Sequence, residues 1–220
     1  MQYKLILLFL SSILVSSCSS IKTNNIAPGY VEAFKSIKNV ILGQDGIDIS
    51  SELINSIPYA SSLLKIGKGP KGLLILEIKK NDEETWVSAD GLILVVRNGR
   101  IIKTAGLNHN LSNFISPSIE ISDLDLIKNK VLKYYYSYDV PFLVDLEVEV
   151  TVSDRGFQNI ELHNGVKELR LIEEEIRSRE INWRAVNRYW VDKENYIWKS
   201  IQTISPKLPE FSFEITKKPS

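Results

Sequence analysis

Apolar runs that alternate with charge, and that break at two-residue turns, restrict this chain to antiparallel sheet. Asn98-Gly99 separates LILVVR from RIIKT. Both residues tolerate positive φ, so the dipeptide suits a tight β-hairpin turn. Asn164-Gly165 divides FQNIELH from VKELRLIEEEI in the same way, and the polar loop Asp192-Lys193-Glu194-Asn195 lies between AVNRYWV and YIWKSIQTI. In FLVDLEVEV (142–150), Phe142, Val144, Leu146, Val148 and Val150 fall on one face, with Leu143, Asp145, Glu147 and Glu149 on the other. That alternation suits a sheet with one wet side. GLLILEI (72–78) reads as a buried strand. LRLIEEEIRSREI suits helix or strand, and its neighbours favour a long strand. Hairpins at this spacing predict a mainly β fold, an antiparallel meander curled into a barrel-like or sandwich body. One or two short helices precede it. Val31, Phe34, Ile37, Val40 and Ile41 recur at helical spacing up to Gly43, and residues 51–56 suit a helix capped by Ser50 or Ser51.

Composition fits one ordered domain, placed over residues 30–220. Apolar residues make up 44% of the chain and charged residues 25%, enough for a core and inconsistent with a disordered chain. Lys+Arg and Asp+Glu both total 27. That balance argues against nucleic-acid binding, which depends on concentrated positive charge.

The amino terminus carries its own message. After Lys4 comes an apolar run, Leu5 to Leu10 and then Ile13 to Val15. It has the length of a signal-peptide core and is short of the roughly 20 residues that span a bilayer. Val15-Ser16-Ser17-Cys18 resembles the bacterial lipobox. Residues 1–17 are then expected to be a signal peptide, Cys18 the lipidated residue, and 18–29 a polar tether ending in Pro28-Gly29. A diacylglyceryl group on the thiol and an N-linked acyl chain such as palmitate would anchor the protein, since each buried CH₂ contributes about 0.8 kcal/mol. Cys18 is the only cysteine, and a lipidated thiol needs no disulfide partner. Ser19 rather than aspartate follows it, which by similarity to bacterial sorting rules places the body on the periplasmic side of the outer membrane.

Signatures of catalysis are sparse. His109 and His163 are isolated in sequence and lack metal-ligand spacing; His109 is expected in a polar loop and His163 solvated beside its turn. No Gly-x-Ser-x-Gly elbow or phosphate-binding glycine loop occurs. KIGKGPKG (65–72) reads as a basic turn, Asp123 and Asp125 as an isolated carboxylate pair, and Glu173-Glu174-Glu175 as a solvated face. No metal or cofactor is expected, and no enzymatic activity. Aromatic residues are the one surplus. Tyr134, Tyr136 and Tyr138 share a face if VLKYYYSY is a strand, while Trp86, Trp183, Trp190 and Trp198 fit either core packing or sugar stacking.

Three blocks, SIPYAS (56–61), TWVSADGLILVVRNGRIIKTAGLNHNL (85–111) and NRYWVDKENYIWKSIQTISPKLPEFSFEITKKP (187–219), resemble the YjbF/GfcB lipoproteins of group 4 capsule and exopolysaccharide gene clusters. Asn195-Tyr196 stands where that family often has a glycine after the acidic turn. The resemblance implies an antiparallel β fold and a non-catalytic role in secretion or assembly of a surface polysaccharide, through glycan or export-machinery partners. Trp86, Asp90, Arg97, Arg100, Trp190 and Trp198 are the candidate binding residues. Arg97 and Arg100 flank a tight turn and are expected near one sheet end, close to Asp90, as a salt bridge or an anionic-sugar contact. A carrier for a hydrophobic ligand is the alternative role for a curled sheet on a lipid anchor.

Overall fold

The computed structural model describes residues 49–117 and 130–219. The expected signal segment, Cys18, the tether, the helix ending near Gly43 and the Asp123/Asp125 pair lie outside the described residues.

The described residues form one helix, α1 (Ser51–Ser56), and one twelve-stranded antiparallel sheet. The first half of the chain supplies β1 (Ser61–Ile66), β2 (Lys71–Lys80), β3 (Glu83–Ser88), β4 (Ile93–Arg97), β5 (Arg100–Ala105) and β6 (Leu111–Ile115). The second supplies β7 (Val131–Tyr138), β8 (Leu143–Leu162), β9 (Gly165–Ser178), β10 (Trp183–Val191), β11 (Ile197–Gln202) and β12 (Phe211–Lys217). The order across the sheet is β5-β4-β3-β2-β1-β12-β11-β10-β9-β8-β7-β6. Every pairing joins consecutive strands except β1 with β12, which closes the chain ends against each other. The outer strands β5 and β6 come together, so the sheet is a nearly closed barrel rather than a sandwich. Side chains help bridge this seam: Thr104 Oγ1 accepts from the Leu111 N–H at 2.9 Å, and Asn110 Oδ1 accepts from the Leu107 N–H at 2.9 Å. Because the meander runs up and down, alternate turns share an end. The β2–β3, β4–β5, β8–β9 and β10–β11 turns lie at one end, and the β1–β2, β3–β4, β5–β6, β7–β8, β9–β10 and β11–β12 turns at the other.

The interior is packed by large side chains, with Trp86, Leu94, Leu111, Tyr189 and Phe211 fully buried. Burying each such side chain contributes about 1.5–3 kcal/mol. Two parts of the outer face are covered as well. Helix α1 is too short to be stable alone. Ser50 caps it, its side chain accepting from the Leu53 N–H at 3.2 Å, and Ile54 and Ile57 pack it onto Leu63, Leu73 and Ile75. β1 and β2 are therefore buried on both sides, which explains the unbroken apolar run in GLLILEI. The second cover is the long β8–β9 hairpin. Its ladder shifts register between Asp154 and Phe157, at Gly156 with φ 78°. Beyond that point the arm lays Leu162 and Leu169 over Trp190, and Ile160 joins the same cluster. Its tip reaches β12, where the His163 N–H donates to Glu214 and the Asn164 amide donates to the Thr216 carbonyl.

Several sequence expectations need correction. The alternation in 142–150 breaks at Asp145, which takes φ 53° where β7 and β8 shift register. Leu146, Val148 and Val150 face the core, but Phe142 and Val144 are exposed and Leu143 packs inward in their place. The second hairpin turns at His163-Asn164, with Gly165 already the first residue of β9. The glutamate triplet is not uniformly solvated. Glu173 pairs outward with Arg155 and Arg188, whereas strand alternation turns Glu174 fully inward. His109 is buried rather than loose in a polar loop, stacked on Tyr138 with ring centroids 4.7 Å apart.

Candidate functional site

The barrel has two mouths. At the end shared by the β2–β3, β4–β5 and β10–β11 turns, a cleft of about 310 Å³ opens above Val96, Val191, Phe213 and Ile215. Its rim carries three asparagines, Asn81, Asn98 and Asn195, one from each turn, with φ of 55°, 47° and 65°. A short amide side chain tolerates the left-handed region that these turns demand. Turn geometry therefore places three amides, each with donors and an acceptor, around one opening. Lys79, Asp82, Glu84 and Lys218 add charges of both signs.

Tyr196 is the aromatic side chain of one wall, backed by Trp198 from outside the lining. Asp192 organises it: Oδ1 accepts from the Glu194 and Tyr196 N–H groups at 2.8 and 2.9 Å, and Oδ2 accepts from Trp198 Nε1 at 2.7 Å. Tyr196 meets Trp198 edge to face at 5.2 Å. Lys218 lies 4.3 Å over the Tyr196 ring and Lys167 lies 4.2 Å over Trp198. Burial raises the Tyr196 phenol well above its ordinary pKa, with Glu84 and Asp192 adding to the effect, so it stays a neutral donor. Burial also raises the Glu84 carboxyl, against the opposing hydrogen bond from Trp86 Nε1 at 3.1 Å and the charge of Lys79. Gly99 closes the hairpin tip onto β11, where any Cβ would lie 2.6 Å from the Ile197 side chain.

The sequence-predicted binding residues are dispersed. Trp198 backs Tyr196 but packs against the cluster beneath the β8–β9 arm rather than lining the cleft, and Arg97 stands outside the rim, paired with Glu83 and, at 3.5 Å, with Asp82. Trp86 is fully buried against Phe213, ring centroids 5.6 Å apart, and offers no surface to a glycan. Trp190 lies beneath the β8–β9 arm. Asp90 accepts from Ser88 Oγ in the β3–β4 turn, at the opposite end of β4 from Arg97. Arg97 and Arg100 diverge across their turn: a register shift beside Val96 leaves Arg100, Ile101 and Ile102 all buried.

Arg100 instead builds a network that the sequence did not disclose. Inside the barrel it pairs with Glu174 and lies 4.8 Å over the Tyr134 ring. Tyr134 and Tyr189 each donate to Glu174, at 2.9 and 3.1 Å. Burial opposes the guanidinium charge, but Glu174 beside it holds the Arg100 pKa well above its ordinary value. Gln202 completes the network, accepting from the Ile101 N–H at 3.0 Å and donating to the Gly99 carbonyl at 2.9 Å. This buried pair joins the seam strand β5 to β9 across the interior, with Arg100 Nε left without a hydrogen-bond partner. Among the described residues, no group of three or more His, Cys, Asp or Glu side chains could hold a metal.

The family model described as "Group 4 capsule polysaccharide lipoprotein gfcB, YjbF" matches residues 34–216. The chain belongs to the YjbF family. It is 24% identical over 184 residues to the uncharacterized lipoprotein YjbF of Escherichia coli K12, covering 78% of this chain and 81% of that protein. A 65-residue stretch, 30% of each chain, is 32% identical to the uncharacterized lipoprotein GfcB of the same organism. The fold matches the crystal structure of the hypothetical lipoprotein YmcC from E. coli K12 with a TM-score of 0.68 at 19% identity, over 85% of this chain and 96% of that one. The nearly closed barrel is thus the form this lipoprotein sequence takes, and the capsule association belongs to the YjbF family as a whole.

Asn81, Asp192, Asn195, Tyr196 and Glu84 escaped the sequence reading. A usable signal was present: in an up-and-down meander every second turn shares an end, so the asparagines of alternate turns converge. The strands are legible in sequence, and the parity of their turns supplies the convergence.

Proposed function

We propose that this YjbF-family member is a non-catalytic outer-membrane lipoprotein that binds glycan at the amide-lined mouth during secretion or assembly of capsule or exopolysaccharide. Residues 1–17 would be removed, Cys18 lipidated, and the body held on the periplasmic side. The observation that carries the reading is the convergence of Asn81, Asn98 and Asn195 beside Tyr196, in a chain of a capsule polysaccharide lipoprotein family. Amides satisfy sugar hydroxyls, and an aromatic ring covers the apolar C–H face. Of the residues first singled out, Trp198 backs Tyr196 and Arg97 borders the rim. Trp86 and Arg100 support the mouth from within, and Asp90 and Trp190 lie apart from it. Export proteins would meet the same end. The packed interior, with Trp86, Tyr189 and Phe211 at its centre, speaks against a carrier that encloses a hydrophobic ligand.

The test is calorimetric titration of the mature-length chain, with Cys18→Ser, against purified capsule polysaccharide from the same cells. Saturable binding that weakens in Tyr196→Ala and in Asn98→Ala is the expected result. Binding unchanged in both variants, or no binding with surface polysaccharide unaltered after gene deletion, would refute it.

A further inference from the structure

The opposite mouth has the reverse chemistry. A cleft of about 310 Å³ opens there among Tyr138, Pro141, Leu143, Ile181 and Pro206, with Lys207 at its edge. Large apolar side chains stand out around it: Phe142 is 82% exposed, Val140 61%, Val144 53% and Ile181 40%. They come from two adjacent turns, β7–β8 and β9–β10, with Val144 from the start of β8. The β7–β8 turn is held in place. His109 Nδ1 donates to the Val140 carbonyl, and Asp139 accepts from the Asn110 N–H at 2.7 Å and from its side-chain amide at 2.8 Å. Phe142 is therefore presented to solvent by a fixed loop. An exposed apolar cluster of this kind marks an interaction surface.

We propose that this apolar mouth docks onto the surface of the bilayer to which the lipoprotein is anchored, with Val140, Phe142 and Ile181 entering the headgroup region. The inference goes beyond the glycan reading and rests only on the lipoprotein nature of the family. Three observations favour a bilayer over other occupants. The apolar side chains sit at turn tips at one end of the barrel, so a plane can touch them together. Beside the apolar cluster the charges are of both signs, Lys207 and Arg179 against Asp139, Asp145 and Glu180, and the basic β1–β2 turn with Lys68 and Lys71 lies at the same end, its Gly67 against Pro209. The mixed charges beside the apolar cluster suit zwitterionic headgroups, and the neighbouring lysines can meet lipid phosphates. Reach is sufficient too. Residues 19–48 separate Cys18 from Ile49, and a chain of that length spans at most about 100 Å. A nine-residue strand such as β10 runs about 30 Å. The anchor can thus enter beside α1, at the polar end, while the apolar end faces the lipid. The glycan mouth would then open away from the membrane.

The test is co-sedimentation of the mature-length Cys18→Ser chain with neutral phosphatidylcholine–phosphatidylethanolamine vesicles at low and high salt. Binding that persists in high salt, and that falls about tenfold or more in Phe142→Asp, is expected. Ile181→Asp should act in the same direction. Val166→Asp, at another exposed apolar position on the β8–β9 arm, is the control and should leave binding unchanged. All three sites are exposed, so circular dichroism should show intact folds. Absence of the protein from the vesicle pellet would overturn the proposal, as would loss in high salt or equal binding by Phe142→Asp. So would a concentration-dependent dimer abolished by Phe142→Asp, since a second copy would then be the occupant. None of these outcomes bears on the polysaccharide titration, so the two readings fail separately.

Discussion

The two mouths of the barrel are alike in volume, about 310 Å³ each, and opposite in chemistry. One is ringed by asparagines from three turns and walled by Tyr196, which Trp198 backs. The other is ringed by Phe142, Val140 and Ile181 and contains a single lysine. The strands between them are continuous, so the contrast arises almost wholly in the turns. A barrel meander separates the requirements: strand interiors obey packing, while each end is free to carry its own surface. Function can diverge at the ends without disturbing the core.

The core network between the mouths is the place where that separation is most easily broken. Arg100→Ala leaves Glu174 buried without its cation and should cost about 3–5 kcal/mol in urea unfolding. Arg100→Met combined with Glu174→Met should recover most of that loss, because the uncompensated charge is gone. A single-variant cost below about 1 kcal/mol would mean that water already reaches Glu174 and that the interior does not seal one end from the other.

The next variants sharpen the contrast. Tyr196→Ala should weaken glycan binding about tenfold, or about 1.4 kcal/mol, and leave vesicle binding unchanged. Phe142→Asp should do the converse. His109→Ala removes the donor that holds the Val140 carbonyl and should cost about 1 kcal/mol by thermal or chemical unfolding. It should also speed amide exchange in the β7–β8 turn but not in the β10–β11 loop. Equal acceleration at both ends would show that the mouths are mechanically coupled.

Glu84→Gln should give the smallest effect, and its sign is fixed by burial. The folded carboxyl titrates above its ordinary range, so the folded state holds this proton more tightly than the unfolded chain does. Its contribution to stability is present below the unfolded value of about 4.3 and is lost as pH rises through the raised folded value. Near neutral pH the buried carboxylate is a mild liability. Glu84→Gln should therefore raise the melting temperature slightly at pH 7, with the gain disappearing by about pH 4. A loss of stability at pH 7 would show that the carboxylate's contact with Trp86 outweighs its burial.

Much of the fold was legible because hairpins are local. Asn98-Gly99 and the Asp192–Asn195 loop announce their turns, and the Tyr134, Tyr136 and Tyr138 alternation puts all three rings in the core. What escaped were effects of register and closure. One residue at Asp145 reversed the fate of Phe142 and Val144, since a register shift exchanges the faces of a strand. Glu174 looked like its neighbours Glu173 and Glu175 because its partner, Arg100, lies 74 positions away on the seam strand. The aromatic surplus and the family blocks make the tryptophans look like binding residues. Trp86 packs the core and Trp190 is roofed by the arm, and no local pattern reveals a cover supplied by a distant hairpin.

The most direct measurement is a two-dimensional ¹⁵N–¹H spectrum of the mature-length chain, titrated with a short fragment of the cognate polysaccharide. The side-chain amides of Asn81, Asn98 and Asn195 and the Trp198 indole should shift together and saturate at one affinity. The backbone amides of Phe142 and Ile181 should stay still. Shifts confined to the Phe142–Ile181 end, or spread over the outer face of the β8–β9 arm with the three asparagines unmoved, would contradict the assignment of the polar mouth to glycan.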